Sequence, residues 1–170
     1  MSPRWKRFRG GPDDTLIVSL APEEMALLVG LPEQLREVFD APRDDPLAAR
    51  LFPAAYLDPT EEEREAEYTA LVLPDLLRQR LDALELVTSS FARAVPDAQR
   101  PDAEWLEIAL TPEEVSAWLG VLNDTRLVLG TRLEVTEEEP DLDPSHPDAS
   151  AFAVYYWLTY LQGELIEELL

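Results

Sequence analysis

The sequence predicts a mainly α, single-domain fold of five to six helices with a small N-terminal β-hairpin. Three observations carry this prediction. The 170-residue chain is the length of one domain and is 46% apolar, enough for a core. Helical periodicity runs through 22–39, 60–93, 112–129 and the C-terminal stretch. Alternating extended segments are confined to the start of the chain and to 105–110.

Trp5 to Arg9, the turn-rich Gly10-Gly11-Pro12-Asp13-Asp14 and Thr15 to Leu20 read as a hairpin. Trp105 to Leu110 is a candidate third strand. Helix 22–39 places Met25, Leu28, Leu35 and Phe39 on one side, and Pro32 is expected to kink or divide it. Asp45 to Tyr56 is turn-rich, with one helical turn near Leu47 to Leu51. From Thr60 to Arg93 the pattern is helical again, and Pro74 is expected to kink it or start a second helix. There Leu77, Leu81, Leu84, Thr88 and Phe91 form the expected buried stripe, followed by a polar connector over 94–103. Helix 112–129 presents Val115, Trp118, Leu119, Leu122 and Leu129, with Gly130 as its expected stop. An acidic loop, 134–148, holds three Pro and the only His. It leads through a Ser145 to Asp148 cap into a last helix that reaches Leu170. That helix carries Phe152, Tyr155, Tyr156, Trp157 and Tyr160 and is apolar on nearly every side. Such a helix is central to the core or shared with a partner, which includes a second copy of the chain.

The chain also resembles itself at an offset of 90. Residues 15–39 align without gaps to 105–129, with eight identities in 25 pairs, among them Pro22/Pro112, Glu23/Glu113, Glu24/Glu114, Gly30/Gly120 and Arg36/Arg126. Each copy is an extended segment followed by Pro-Glu-Glu and an amphipathic helix. Pro suits the first helical position, and the two Glu favour the positive end of the helix dipole. Thr111 with Glu114 adds a capping box; Ala21 at the matching place lacks the hydroxyl. Duplication about a pseudo-twofold axis and convergence on one strand-to-helix start are both open readings.

Composition excludes several function classes. Fourteen Lys+Arg face 35 Asp+Glu, a net charge of -21, so phosphate backbones and anionic membranes are repelled. Without Cys there is no disulfide, no thiol nucleophile and no Cys-ligated metal; with only His146, most His-based sites go too. No signal peptide is visible, and the longest apolar run, Phe152 to Leu161, is half a membrane span, so a cytoplasmic location is expected. The acidic loop lacks EF-hand spacing, no Gly-rich phosphate loop exists, and no carboxylate pair is marked by context. The expectation is a protein with no enzyme activity, no cofactor and no metal.

Partner binding is the remaining class. Arg4, Trp5, Lys6, Arg7 and Arg9 interleave cations with aromatics, a composition that suits nucleic acid or an edge strand lying against the acidic body. The excess of acids elsewhere favours the edge strand. Tyr156, Trp157 and Tyr160 are the candidates on the last helix. Arg126 shares a helical side with Leu122 and Leu129, so its guanidinium must pair with a carboxylate or reach outward.

The segment WLGVLNDTRLVLGTRL (118–133) resembles the signature of the actinobacterial AosR-type family of oxidative-stress regulators, a domain-of-unknown-function family. Supporting segments fall in order: the basic strand with its turn, PEEMALL (22–28), DPLAARLFPAAY (45–56) and WLTYLQGELIEEL (157–169). The resemblance covers residues 4 to 170. It implies a cytoplasmic, non-catalytic regulator acting on transcription through a protein partner such as a sigma factor. Genes of the family commonly neighbour a Clp adaptor gene, which implies the alternative of an accessory to Clp-type proteolysis. No catalytic residues transfer; Trp118, Asn123, Asp124, Arg126, Gly130 and Arg132 of the motif read as structural. The redox part of the family's name rests on cysteine, and this chain has none.

At physiological salt, a gel shift with duplex DNA is expected to show negligible retention. Deleting residues 1–9 should change stability, not DNA binding; micromolar retention lost on that deletion would contradict the charge argument.

Overall fold

A computed structural model describes residues 4–8, 15–138, 140–141 and 143–170. Strands β1 (Trp5–Phe8) and β2 (Thr15–Leu20) pair antiparallel; the turn between them lies outside the described residues. Then come α1 (Pro22–Asp40), α2 (Pro46–Leu51), a 3-10 turn at Pro59–Glu61 and the long α3 (Glu62–Phe91). The short β3 (Val95–Pro96), β4 (Leu106–Leu110), α4 (Pro112–Arg132) and α5 (Ala149–Leu169) complete the chain. The strands form one antiparallel sheet in the order β1-β2-β4-β3. The mainly α class with a small sheet is therefore the observed one.

The sheet explains the sequence repeat. Leu16 pairs with Leu110, Val18 with Ile108 and Leu20 with Leu106. At an offset of 90, Leu16 matches Leu106 and Leu20 matches Leu110, so the register is its own mirror. A local pseudo-twofold axis passes through the Val18–Ile108 pair. The symmetry extends outward, because β1 lies beside β2 as β3 lies beside β4, with a one-residue slip: Trp5 faces Val18, whereas Val95 faces Glu107. Allowing for that slip, Arg4 and Arg93 are equivalent, and they do the same work. Arg4 bonds Glu24 in the first turn of α1, and Arg93 reaches both carboxylate oxygens of Glu114 in α4 at 2.7 and 2.6 Å. Each Glu also accepts its helix's cap N–H at 2.9 Å, from Ala21 and from Thr111.

Alternation in the strands turns Trp5, Leu16, Val18, Leu20, Ile108 and Leu110 toward the helices, where all six are buried. The two large indoles meet there. Trp5 and Trp118 lie edge to face at 6.1 Å, and Phe91 packs on Trp118 at 5.4 Å. Both indole N–H groups are satisfied, Trp5 by the Leu161 carbonyl at 3.3 Å and Trp118 by the Ser90 hydroxyl at 3.0 Å. Sheet, α3, α4 and α5 are thus joined at one cluster.

Several sequence expectations need correction. Neither Pro32 nor Pro74 divides its helix. Pro32 withdraws one N–H from the ladder of α1, but its ring is buried, and core contact offsets a cost of about 3 kcal/mol. Gly130 does not end α4, which runs on to Arg132. A Cβ there would stand 3.2 Å from the Tyr155 ring, so the glycine lets α5 approach. On α3 the buried residues are Leu84, Val87 and Ser90, while Thr88 is exposed and bonds back to the Leu84 carbonyl. The 94–103 connector contains β3 and the buried Asp97. Asp148 precedes α5 without a side-chain cap; its N–H donates to His146 Nδ1 at 3.1 Å.

Trp5→Ala should lower unfolding free energy by about 3–5 kcal/mol in urea titrations. A loss below about 1 kcal/mol would remove the indole cluster from the core's supports.

Candidate functional site

The 118–133 motif contributes one of the fold's buried charges. Asp124 is nearly buried on α4 and meets Arg80 of α3 at 2.5 Å. Arg80 also donates to the Leu51 carbonyl at 3.1 Å, at the end of α2, and its guanidinium lies over the Phe52 ring at 5.0 Å. Arg43 covers the same ring at 4.5 Å and bonds the Phe39 carbonyl near the end of α1. One aromatic ring therefore contacts two guanidinium groups, each turned to a helix C-terminus. Burial pushes the Asp124 carboxyl above its usual range, and Arg80 only partly offsets that shift.

Arg126 takes neither course expected of it. It bonds neutral groups of α5, the Thr159 hydroxyl at 2.9 Å and the Gln162 side-chain oxygen at 2.5 Å. Its repeat counterpart Arg36 makes only a loose contact with Glu33 at 3.9 Å. Trp118 is core, Gly130 admits Tyr155, and Asn123 is exposed. Arg132, in the last turn of α4, lines an apolar groove of about 270 Å³ with Leu31, Leu35, Val128 and Val154.

The N-terminal candidates are similarly committed. Trp5 is 2% exposed, so its indole serves the core and does not face a partner. Lys6 bonds Gln99 at 2.8 Å and Glu107 at 3.4 Å, and Arg7 bonds the Glu168 carbonyl at the end of α5. Arg9 lies outside the described residues. The edge-strand reading fits this placement. Around it, the sheet's outer face carries a polar network that the sequence reading missed. The Ser19 hydroxyl donates to the buried Asp97 at 2.6 Å, and Arg100 donates to both Ser19 and Asp97 while stacking on Trp105 at 4.1 Å. Burial alone would raise the Asp97 carboxyl, but bonds from Ser19 and the Gln99 N–H outweigh it and hold it below the ordinary range. Burial is likewise outweighed at Glu114 by Arg93 and the Thr111 N–H. These two carboxylates stabilise the fold above their ordinary pKa, and that share is lost as pH falls through the lowered values.

The aromatic candidates of α5 divide. Trp157 is half-buried against the core, whereas Tyr156 and Tyr160 are 36% and 54% exposed. Tyr160 donates to Glu164 at 2.6 Å. Among the described residues no three His, Asp or Glu side chains gather as a metal site, and no helix is long and apolar enough to cross a membrane.

Fold and motif together define a helix-rich scaffold whose most distinctive residues hold its elements to one another. The chain belongs to the family described as a domain of unknown function, DUF2017, which it matches over residues 1–169. It is 30% identical to the oxidative stress regulator AosR of Mycobacterium tuberculosis, over 96% of this chain and 86% of that protein; the Mycobacterium bovis protein matches equally. A putative oxidative stress regulator AosR of Mycobacterium leprae is 32% identical over 72% of this chain and 58% of that protein. No solved structure matches.

Arg80→Leu should leave Asp124 charged and unpaired, lowering stability by about 3–5 kcal/mol at neutral pH. Protonation removes that orphan charge. The deficit should therefore shrink as pH falls through the raised folded-state pKa of Asp124 toward its unfolded value near ~3.9, a trend that urea titrations across pH would read. A deficit independent of pH would place the loss in packing on Phe52 instead.

Proposed function

We propose that the chain is a non-enzymatic regulator of transcription that acts in the cytoplasm through a protein partner such as a sigma factor. The observation that carries this reading is similarity to oxidative stress regulators across 96% of the chain. Its own chemistry supports the route through a partner. A net charge of -21 opposes direct contact with DNA, and Arg4, Lys6 and Arg7 are engaged within the fold. Asp124 and Arg126 of the 118–133 motif brace helices, which leaves recognition to the outer surfaces. Tyr156 and Tyr160 on α5 offer one such surface of exposed aromatics. Since the chain has no Cys, oxidant sensing by a thiol would have to reside in the partner.

Affinity purification from the native host, followed by mass spectrometry, is expected to recover a sigma factor or another RNA polymerase component. Recovery of Clp components alone, with altered degradation of a model substrate by the purified chain, would favour the proteolytic alternative.

A further inference from the structure

Acids outnumber bases by 35 to 14 in this chain, and most of the described arginines meet a carboxylate. Arg78 meets Asp75 at 2.9 Å and Arg93 meets Glu114 at 2.6 Å, for example. Arg50 and Arg126 meet none among the described residues, and both line one pocket of about 250 Å³. Arg50 stands exposed in the last turn of α2, and its guanidinium makes no bond among the described residues. Arg126, half-buried on α4, bonds two neutral oxygens of α5, those of Thr159 and Gln162, and lies over the Tyr155 ring at 5.8 Å. Its Nη2 makes no bond among the described residues. A guanidinium offers five N–H donors in a planar fork that matches carboxylate and phosphate, so donor capacity remains at both residues.

The rest of the wall comes from the end of α4 and from Tyr155 of α5. Val135 donates its N–H to the Gly130 carbonyl at 2.9 Å, and Glu134 sits at φ 52°, the left-handed position that closes many helices. The backbone at the end of α4 is therefore fixed by its own hydrogen bonds. Gly130 adds no side chain to the pocket, where a Cβ would stand 3.2 Å from the Tyr155 ring. The Tyr155 hydroxyl bonds no protein group among the described residues. Glu134 is the one carboxylate among the lining residues, and no ion pair joins it to Arg50 or Arg126. Two guanidinium groups against one carboxylate leave the pocket positive in a chain of net charge -21.

We propose that this pocket binds a small oxyanion, the phosphate or carboxylate group of a low-molecular-weight ligand, held by Arg50 and Arg126. Its volume suits a small molecule. Arg50 comes from the end of α2 and Arg126 from α4, so an anion between them ties the two helices, and the bonds of Arg126 extend that tie to α5. Glu134 opposes the anion and limits its affinity. The site stands whether or not the chain also works through a protein partner.

The test titrates the full chain with inorganic phosphate and, separately, with succinate, at fixed pH and ionic strength. Two-dimensional NMR follows the backbone amides of Gly130, Thr131 and Val135. Saturable shifts centred on these residues are expected, and sodium chloride at matched ionic strength should give none. A response to phosphate alone assigns the ligand a phosphoryl group, and a response to succinate alone assigns it a carboxylate. Arg50→Gln, at an exposed position with no bond to lose, should weaken binding about tenfold with unchanged circular dichroism. Arg78→Gln, outside the pocket, should change it less than about twofold. Glu134→Gln should tighten binding about threefold by removing the opposing charge. Equal loss in Arg50→Gln and Arg78→Gln, equal shifts with chloride, or no saturable shift with either anion would overturn the proposal. Weaker binding in Glu134→Gln would overturn it in favour of a ligand that brings its own cation.

Discussion

The antiparallel pairing of β2 with β4 is the constraint on which the rest of the architecture depends. Its register, centred on Val18 and Ile108, fixes where each following helix begins. Each helix starts two residues beyond its strand, at Pro22 and Pro112, so both inherit the local pseudo-twofold relation. The outer strands then supply the same brace twice, Arg4 to Glu24 and Arg93 to Glu114. Glu at the third helical position is thus shared between the helix's own cap and a cation from a neighbouring strand. Slipping β2 by one residue would turn Leu16, Val18 and Leu20 away from the helices.

The symmetry is then broken deliberately by composition. α4 buries Trp118 against Trp5, Phe91 and Ser90, whereas Leu28 stands at the matching position of α1. α4 becomes the central helix, touching the sheet and α1, α2, α3 and α5. This is why one sixteen-residue motif carries so much recognisable character. Asp124 holds α3, Arg126 holds α5, and Gly130 removes the atom that would hold α5 away. A buried Asp–Arg pair contributes little net stability over an apolar pair, but it penalises any arrangement that separates its members.

Local signals in the sequence were sufficient for the elements and insufficient for their partners. Pro22, Pro112 and the capping box at Thr111 mark helix starts by chemistry that acts within one turn, and those starts are observed. Pro32 and Gly130 mislead because tertiary packing outweighs local preference at both: one ring is buried, and one missing side chain makes room for Tyr155. β3 has only two residues, too few for alternation, and its signal is the repeat itself once a one-residue slip is allowed. The partners of Arg126 sit 33 and 36 residues away and are uncharged, so no charge pattern points to them. Trp5 looked like a contact residue through its basic neighbours, yet β-strand alternation sends its indole inward.

The long third helix divides its support unevenly along its length. Its C-terminal third is anchored by Leu84, Val87 and Ser90, but its first turns draw almost nothing from the core. Mostly local terms hold them: helix propensity, the Glu-rich first turn on the dipole, and i,i+3 pairs such as Arg64 with Glu61, beside one bond from the Tyr56 N–H to Glu65. Such a segment can open without the rest of the molecule unfolding, at a small fraction of the global free energy. The molecule therefore divides its burial unevenly, between a sheet-centred body and the outer turns of one helix. Substitutions in those outer turns therefore act on the local opening of α3 more than on the stability of the whole.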